Sequence, residues 1–278
     1  MICNLLISTS NRLRSLLILL LCLISSYSIA KPSLRVVSLS PIVSKALVML
    51  DAEDMVVACT QWCPFADQKQ IVANAIDVNI ELVLRLKPDV IFASTLIDNE
   101  SIETLTSLGL DVVLLPRTVS FDAMCDNLLL VADKIGKRPK AEEEISIAKA
   151  KLQLVKASIP DGVKPKVMFQ VGVKPIFIAI PNTFINEYIE QAGGINIFSD
   201  LEHGTVTRES VLLRDPDAIF ISSMPTAAEN AKEDWLAYDE LSATQKKHVV
   251  LIDQEIASSP TIHTFVEVVG IMIDVLYK

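Results

Sequence analysis

Glu81-Leu-Val-Leu-Arg-Leu-Lys-Pro88-Asp89-Val-Ile91-Phe92 and Glu209-Ser-Val-Leu-Leu-Arg-Asp-Pro216-Asp217-Ala-Ile219-Phe220 align without a gap, 128 residues apart, with seven identities in twelve positions. Each copy reads as a short helix followed by a buried strand. The helix stops because the residue before a proline is pushed out of the α region. Such a unit is a βα-type building block. One copy in each half of the chain predicts two similar lobes facing each other, with a small ligand between them, rather than one continuous sheet.

Outward from the first copy, residues 34–41 form an apolar strand ending in small polar residues. A helical pattern over 42–50, a strand over 55–59 and a loop over 60–67 follow. After the first copy come a helix over 101–108, stopped at Gly109, and a strand over 111–116. Near-continuous apolar strands separated by helices predict a parallel sheet covered on both faces. The second half repeats the programme, with strands over 166–171, 176–180 and 248–253, a helix over 183–191 stopped at Gly193-Gly194, a loop over 254–260 and a final helix over 261–276.

Between the halves the apolar residues Ala141, Ile145, Ala148, Leu152, Val155 and Ile159 step by four and three. That spacing predicts one long amphipathic helix over 139–160, about 30 Å long at 1.5 Å per residue. Pro139 and Pro160 bound it, Glu142, Glu143 and Glu144 are expected in its first turn, and Lys149, Lys151 and Lys156 follow as the helix dipole favours. A flexible linker would be rich in Gly and Ser instead, so the segment reads as a rigid strut.

The first thirty residues read as an export signal. Arg12 and Arg14 precede the apolar run 16–24, and Ser28-Ile29-Ala30 fits a small-x-small cleavage site, so the mature chain is expected to begin near Lys31. Cys22 follows Leu19-Leu20-Leu21, without the small residue a lipid-attachment signal needs before its cysteine. Cleavage would remove two Arg and no acid, leaving 34 acidic against 23 basic residues and a net charge of −11. Nucleic acid is excluded as a natural partner by that charge. Cys59, Cys63 and Cys125 would remain. An oxidising compartment allows a pair, but the odd count and close spacing make no disulfide framework, and Cys59 and Cys125 read as small buried hydrophobes.

With these residues in view, the chain resembles a periplasmic substrate-binding protein of the helical-backbone class, which serves ABC importers of vitamin B12, iron-siderophores, haem and some metals. The resemblance covers nearly the whole mature chain. It rests on Val36-Val-Ser-Leu-Ser-Pro41, Asn79-Ile-Glu81 through Lys87-Pro88-Asp89, Gly193-Gly194-Ile-Asn196-Ile-Phe198, Arg208-Glu209 through Pro216-Asp217, and Ser259-Pro260. In order and spacing these motifs are most like the cobalamin-binding branch. The fold so implied is α/β, with two Rossmann-like lobes (31–138 and 161–278) whose parallel-type sheets are joined by one long rigid backbone helix (139–160).

Glu81 and Glu209 occupy the positions at which the family docks one Glu per lobe onto arginines of the membrane permease. Two carboxylates held by a rigid body can both engage only at the correct lobe orientation. Read without the family, each is a first-turn acid favouring its helix. Family members hold the ligand on loops after the strands, here 38–44, 60–65, 94–98, 117–121, 170–174, 222–226 and 254–259. The contacts implied are Ser40, Pro41, Trp62, Cys63, Arg117, Gln170, Met224 and Ser258. Trp62 sits where cobalamin-type relatives present an aromatic, and a flat ring against a planar ligand gains dispersion and buried area; as a lone loop Trp it is equally a surface staple. Arg117 is either a contact for a carboxylate, phosphate or catecholate or a solvated surface residue.

The departures are specific. Ala75, Glu202-His203-Gly204 and Gln254 stand where aromatics are expected, and Ala192 and Gly270 stand where some relatives carry paired cysteines. His203, His248 and His263 all fall in the second half, which argues against direct Zn or Mn capture by both lobes. His263 reads as a helix-start or packed residue, or as a single ligand to a cobalt or haem iron. An exported hydrolase or nucleotide-using enzyme would need a G-x-S-x-G elbow, a Walker loop or G-x-G-x-x-G, and the chain, with only eight Gly, has none of them. The expectation is therefore a monomeric, non-enzymatic binder of a corrinoid with no cofactor of its own, partnered by an inner-membrane ABC permease; an iron-siderophore or haem binder, or a non-transport receptor or scaffold, is the alternative.

Overall fold

A computed structural model describes residues 34–74, 77–95 and 97–278. The expected export signal and Ala75 lie outside them. The elements in chain order are β1 (Val36–Leu39), α1 (Pro41–Met49), β2 (Val56–Thr60), β3 (Gln70–Ala73), α2 (Ile80–Leu86), β4 (Val90–Ser94), α3 (Asn99–Ser107), β5 (Val112–Leu115), α4 (Phe121–Ile135) and α5 (Arg138–Lys156). The second half holds β6 (Lys166–Gly172), β7 (Ile176–Ile178), α6 (Phe184–Gln191), β8 (Ile195–Asn196), β9 (Thr205–Val206), α7 (Arg208–Arg214), β10 (Ala218–Ile221), α8 (Pro225–Leu236), α9 (Ser242–Gln245), β11 (Val249–Leu251), α10 (Gln254–Ser258) and α11 (Ile262–Tyr277).

The sequence repeat is a structural repeat. Helices α2 and α7 occupy equivalent positions, each starting one residue before its copy and covering the copy's first six. Each ends on a residue in the left-handed region, Lys87 (φ 46°) and Asp215 (φ 44°). The residue before the proline thus leaves the right-handed helix for the left-handed well rather than for the extended region. Asp89 and Asp217 then accept the backbone N–H of Arg35 and Lys166, the residues bordering or opening the first strand of each half, at 2.7 Å each. Arg35 Nη2 and Lys166 Nζ in turn reach the carbonyls of Leu86 and Arg214 that the helix ends leave open.

The first sheet runs β3-β2-β1-β4-β5, all parallel. The second runs β11-β10-β6-β7-β9, with β8 also on β6, and it is mixed, not parallel throughout. The cause is the short link between β6 and β7. A parallel partner needs a crossover of about a dozen residues or more, whereas a tight link returns the chain antiparallel. The predicted loop after β11 is in fact the short helix α10.

Both sheets bury both faces, and strand alternation sorts the side chains. Ile91 and Ile219 face separate outer clusters, one under each half. Phe92 and Phe220 face a single apolar cluster that runs through both halves, with Phe121, Leu152, Phe169, Tyr188 and Phe265 at its centre. Helices α4, α5 and α11 supply much of that shared layer. The strut helix is therefore one wall of a core common to both halves. It begins at Arg138, earlier than expected, with Pro139 in its first turn, so no acid lies in that turn. Glu142 instead pairs with Arg138, while Glu144 takes Lys140 and His263 at 2.8 and 2.7 Å. The Lys140 bond, against opposing burial, and then His263 hold the Glu144 carboxyl below its ordinary pKa.

Candidate functional site

In an open parallel sheet, ligands bind beyond the carboxyl ends of the strands where the order reverses. In the first sheet that point lies between β1 and β4. A cavity of about 210 Å³ sits there, lined by Ser40 after β1, Ser94 and Thr95 at the end of β4, Leu115, Arg117 and Thr118 beside β5, and Phe184 of α6 from the other half. The walls follow from local structure. Ser40 is extended and precedes Pro41 at the start of α1, so the chain turns sharply at the sheet edge. The 116–118 turn is pinned by Asn127 of α4, which donates to Pro116 O and Thr118 Oγ1 at 3.0 Å each.

The second sheet has a corresponding hollow beyond β6 and β10, lined by Val173, Lys174, Ser223, Met224 and the α8 residues Asn230, Glu233 and Asp234. Ser222 Oγ, just after β10, is buried with no hydrogen bond among the described residues. Polar ties cross between the halves. The N–H of Phe121, an open donor at the start of α4, is taken by the Glu187 carboxylate of α6 at 2.6 Å. Lys45 of α1 bonds Glu255 at 2.6 Å and the Ser259 carbonyl at 2.9 Å.

Of the sequence-derived contacts, Ser40 and Arg117 meet in the first cavity and Met224 lines the second. Trp62 stands 64% exposed on the turn after β2, lining neither, with Cys63 buried beneath it. Pro41 is half-buried at the helix start and Ser258 is exposed at the end of α10. Gln170 is 1% exposed, and its amide is engaged inside the second half, accepting from Trp235 Nε1 at 2.8 Å and donating to Gly172 O at 2.9 Å. It supports the wall rather than facing the cavity. Sequence reasoning missed Asn127 and Phe184, because it passed over α4 and treated α6 only as a helix. The Ser120 cap and Gly136 stop of α4 were the available signal.

Glu81 and Glu209 are both exposed in the first turns of α2 and α7. Glu81 makes only a long 3.4 Å pair with Arg85, worth little at an exposed site. Glu209 is held below its ordinary pKa by its own backbone N–H and then by the Thr207 hydroxyl. Both carboxylates are turned to solvent. Among the described residues, no group of three or more His, Cys, Asp or Glu is placed to hold a metal ion, and no helix is long and apolar enough to cross a membrane.

A two-sheet body with a switch-point cavity lined from both halves is shaped to take a small solute. Residues 36–256 match the periplasmic binding protein family, and the chain belongs to that family, whose members bind solutes rather than catalyse reactions. It is 26% identical to the vitamin B12-binding protein of Vibrio cholerae over 239 residues, 84% of this chain and 86% of that protein. It is 27% identical to the cobalamin-binding protein of Halobacterium salinarum over 196 residues, 66% of this chain but 53% of that protein, so it spans about half the length of that relative. Among solved structures, the periplasmic vitamin B12 binding protein BtuF of Vibrio cholerae matches with a TM-score of 0.75 at 26% identity, over 88% of this chain and 97% of that one. The periplasmic heme binding protein HutB of Vibrio cholerae shares the fold, with a TM-score of 0.78 at 18% identity over 88% of this chain and 100% of that one.

Proposed function

We propose that this chain is the periplasmic solute-binding component of an ABC importer, exported by cleavage near Ala30, acting as a monomer and carrying a corrinoid of the cobalamin type to an inner-membrane permease. The observation that carries the reading is the cavity at the β1/β4 switch point, closed by Phe184 from the other half. Its walls are largely apolar with a few polar groups at the rim, the pattern of a small-molecule site. At about 210 Å³ it is smaller than the roughly 300–1,000 Å³ of drug-sized sites, so it takes one edge or side arm of a macrocycle and leaves the rest at its mouth. Glu81 and Glu209, matched in sequence and in helix position, are the permease contacts in this reading.

Arg117 in the cavity wall favours a second reading, an anionic iron chelate or haem, because a guanidinium pairs with carboxylate or catecholate oxygens. Calorimetric titration of the mature protein with cyanocobalamin, cobinamide, haem and a small siderophore panel separates the two. Submicromolar binding of a corrinoid, about −8 kcal/mol or better, is expected. Binding of haem or a siderophore alone moves the ligand, and no binding at all rejects the solute-carrier reading.

A further inference from the structure

Two helices wall the candidate cavity from different halves: Asn127 of α4 and Phe184 of α6 both line it. On the core side these helices are bridged by Phe265 of α11, whose ring centre lies 5.3 Å from that of Phe121 in α4 and 4.7 Å from that of Tyr188 in α6. Phe184 meets Tyr188 edge-on at 5.9 Å. Apolar contact of this kind is non-directional, so the bridge alone does not fix how α6 stands against α4.

The directional tie is Glu187. Phe121 is 3% exposed, so its N–H, one of the open donors at the start of α4, needs a partner within the protein. The Ser120 hydroxyl is already taken by the Ala123 N–H at 3.0 Å. Glu187 Oε2 accepts the Phe121 N–H across the halves at 2.6 Å, a helix cap supplied by a residue 66 positions away. Glu187 Oε1 accepts from Gln191 Nε2 at 3.0 Å, and Gln191 Oε1 accepts from Lys156 Nζ, at the end of the strut helix α5, at 2.6 Å. These bonds run from the start of α4 through α6 to the end of α5. Phe184 stands one turn before Glu187 on the same helix, so the bond that fixes Glu187 also fixes Phe184. Glu187 itself lines a separate hollow, with Asp122, Lys149 and Gln153, and not the candidate cavity.

We infer that Glu187 is a positioning residue: by capping α4 from the other half it holds Phe184 at a set distance from the Thr118 and Asn127 wall, and so governs how fast a bound solute leaves. The inference rests on the reading of this cavity as the solute site. Removing the carboxylate leaves the buried Phe121 donor unpaired and frees α6 to move off α4. The wall then opens without loss of any group that lines the cavity.

The test compares the parent with Glu187→Ala and with the near-isosteric Glu187→Gln, which keeps one acceptor oxygen. Amide hydrogen exchange needs no ligand. In Glu187→Ala the Phe121 N–H is expected to exchange about tenfold faster or more, and the first turn of α6 to loosen with it, while the core strands keep the parent's protection. Stopped-flow binding of cyanocobalamin, or of haem where the parent takes haem instead, is expected to show dissociation about tenfold faster with association within about threefold. Glu187→Gln is expected to fall between parent and Glu187→Ala in both readouts. Parent-like exchange at Phe121, loosening confined to α4, or an unchanged dissociation rate in Glu187→Ala overturns the proposal. A parent that binds neither probe rejects the solute-carrier reading instead, and the exchange data alone then decide whether Glu187 holds α6 to α4.

Discussion

The two copies of the repeat share a helix, a left-handed stop, a proline, an anchoring aspartate and a core phenylalanine, yet they stand in different sheets. The first copy feeds an all-parallel sheet whose switch point holds the smaller, apolar cavity. The second feeds a mixed sheet, where the antiparallel β7 and β9 occupy the edge that in the first half belongs to β2 and β3. The difference teaches what the repeated segment does. It builds the outward helix end and the strand beneath it, identically in each half, and leaves the ligand face to residues outside the repeat.

The largest test of that equivalence removes the matched aromatics. Phe92→Ala and Phe220→Ala, both fully buried in the shared cluster, are each expected to cost about 3–5 kcal/mol. Because one core spans both halves, calorimetric unfolding should show a single transition in either variant; two separated transitions would break the equivalence.

Next come the anchoring aspartates. Asp217→Asn loses a charge-assisted bond worth about 1.5–3 kcal/mol, and Asp89→Asn, at an exposed site, should lose less in urea titration. Burial works to raise the Asp217 carboxyl, but Lys246 and the Lys166 N–H outweigh it and hold it below its ordinary value. A depressed folded pKa gives stability that is present above the unfolded value of about 4 and is lost as pH falls through the lower folded value. Asp217→Asn should flatten that acid limb of a stability–pH curve.

Trp62→Ala, outside the repeat, should leave stability unchanged and weaken a planar ligand, by about 1–3 kcal/mol, only where the part of it left outside the cavity lies on the exposed ring. Unchanged affinity would make Trp62 a surface residue only. The smallest effect is expected at Lys87→Gly. Relief of a left-handed side-chain clash, about 1–2 kcal/mol, is offset by glycine's entropy cost of about 0.5–1 kcal/mol, leaving a net gain of about 0–1.5 kcal/mol on thermal melting.

The βα units, the terminal helix and the strut were legible because their signals are local: apolar runs, prolines, and a four-three stepping of apolar residues. The start of α5 was misplaced by one residue because proline is welcome inside a first turn, and its end by four, because the chain leaves the helix after Lys156 rather than running on to Pro160. The mixed character of the second sheet lay in the length of one connection, not in the strands themselves. Of the site, loops after strands pointed to Ser40, Arg117 and Met224, since topology alone puts strand ends at the cavity. Gln170 obeys the same rule yet is consumed by Trp235, a partner 65 positions away that no local pattern reveals. Phe184 entered the wall for a similar reason, carried there by α6, which packs on α11 and whose Glu187 takes the N–H at the start of α4.

The most direct test of the account is the double variant Glu81→Lys with Glu209→Lys, scored for ligand affinity by calorimetry and for uptake in cells carrying the partner permease. The account predicts affinity within about 1 kcal/mol of the parent, as for sites that share no partners, with uptake abolished. Normal uptake, or loss of ligand binding in the folded variant, would contradict it.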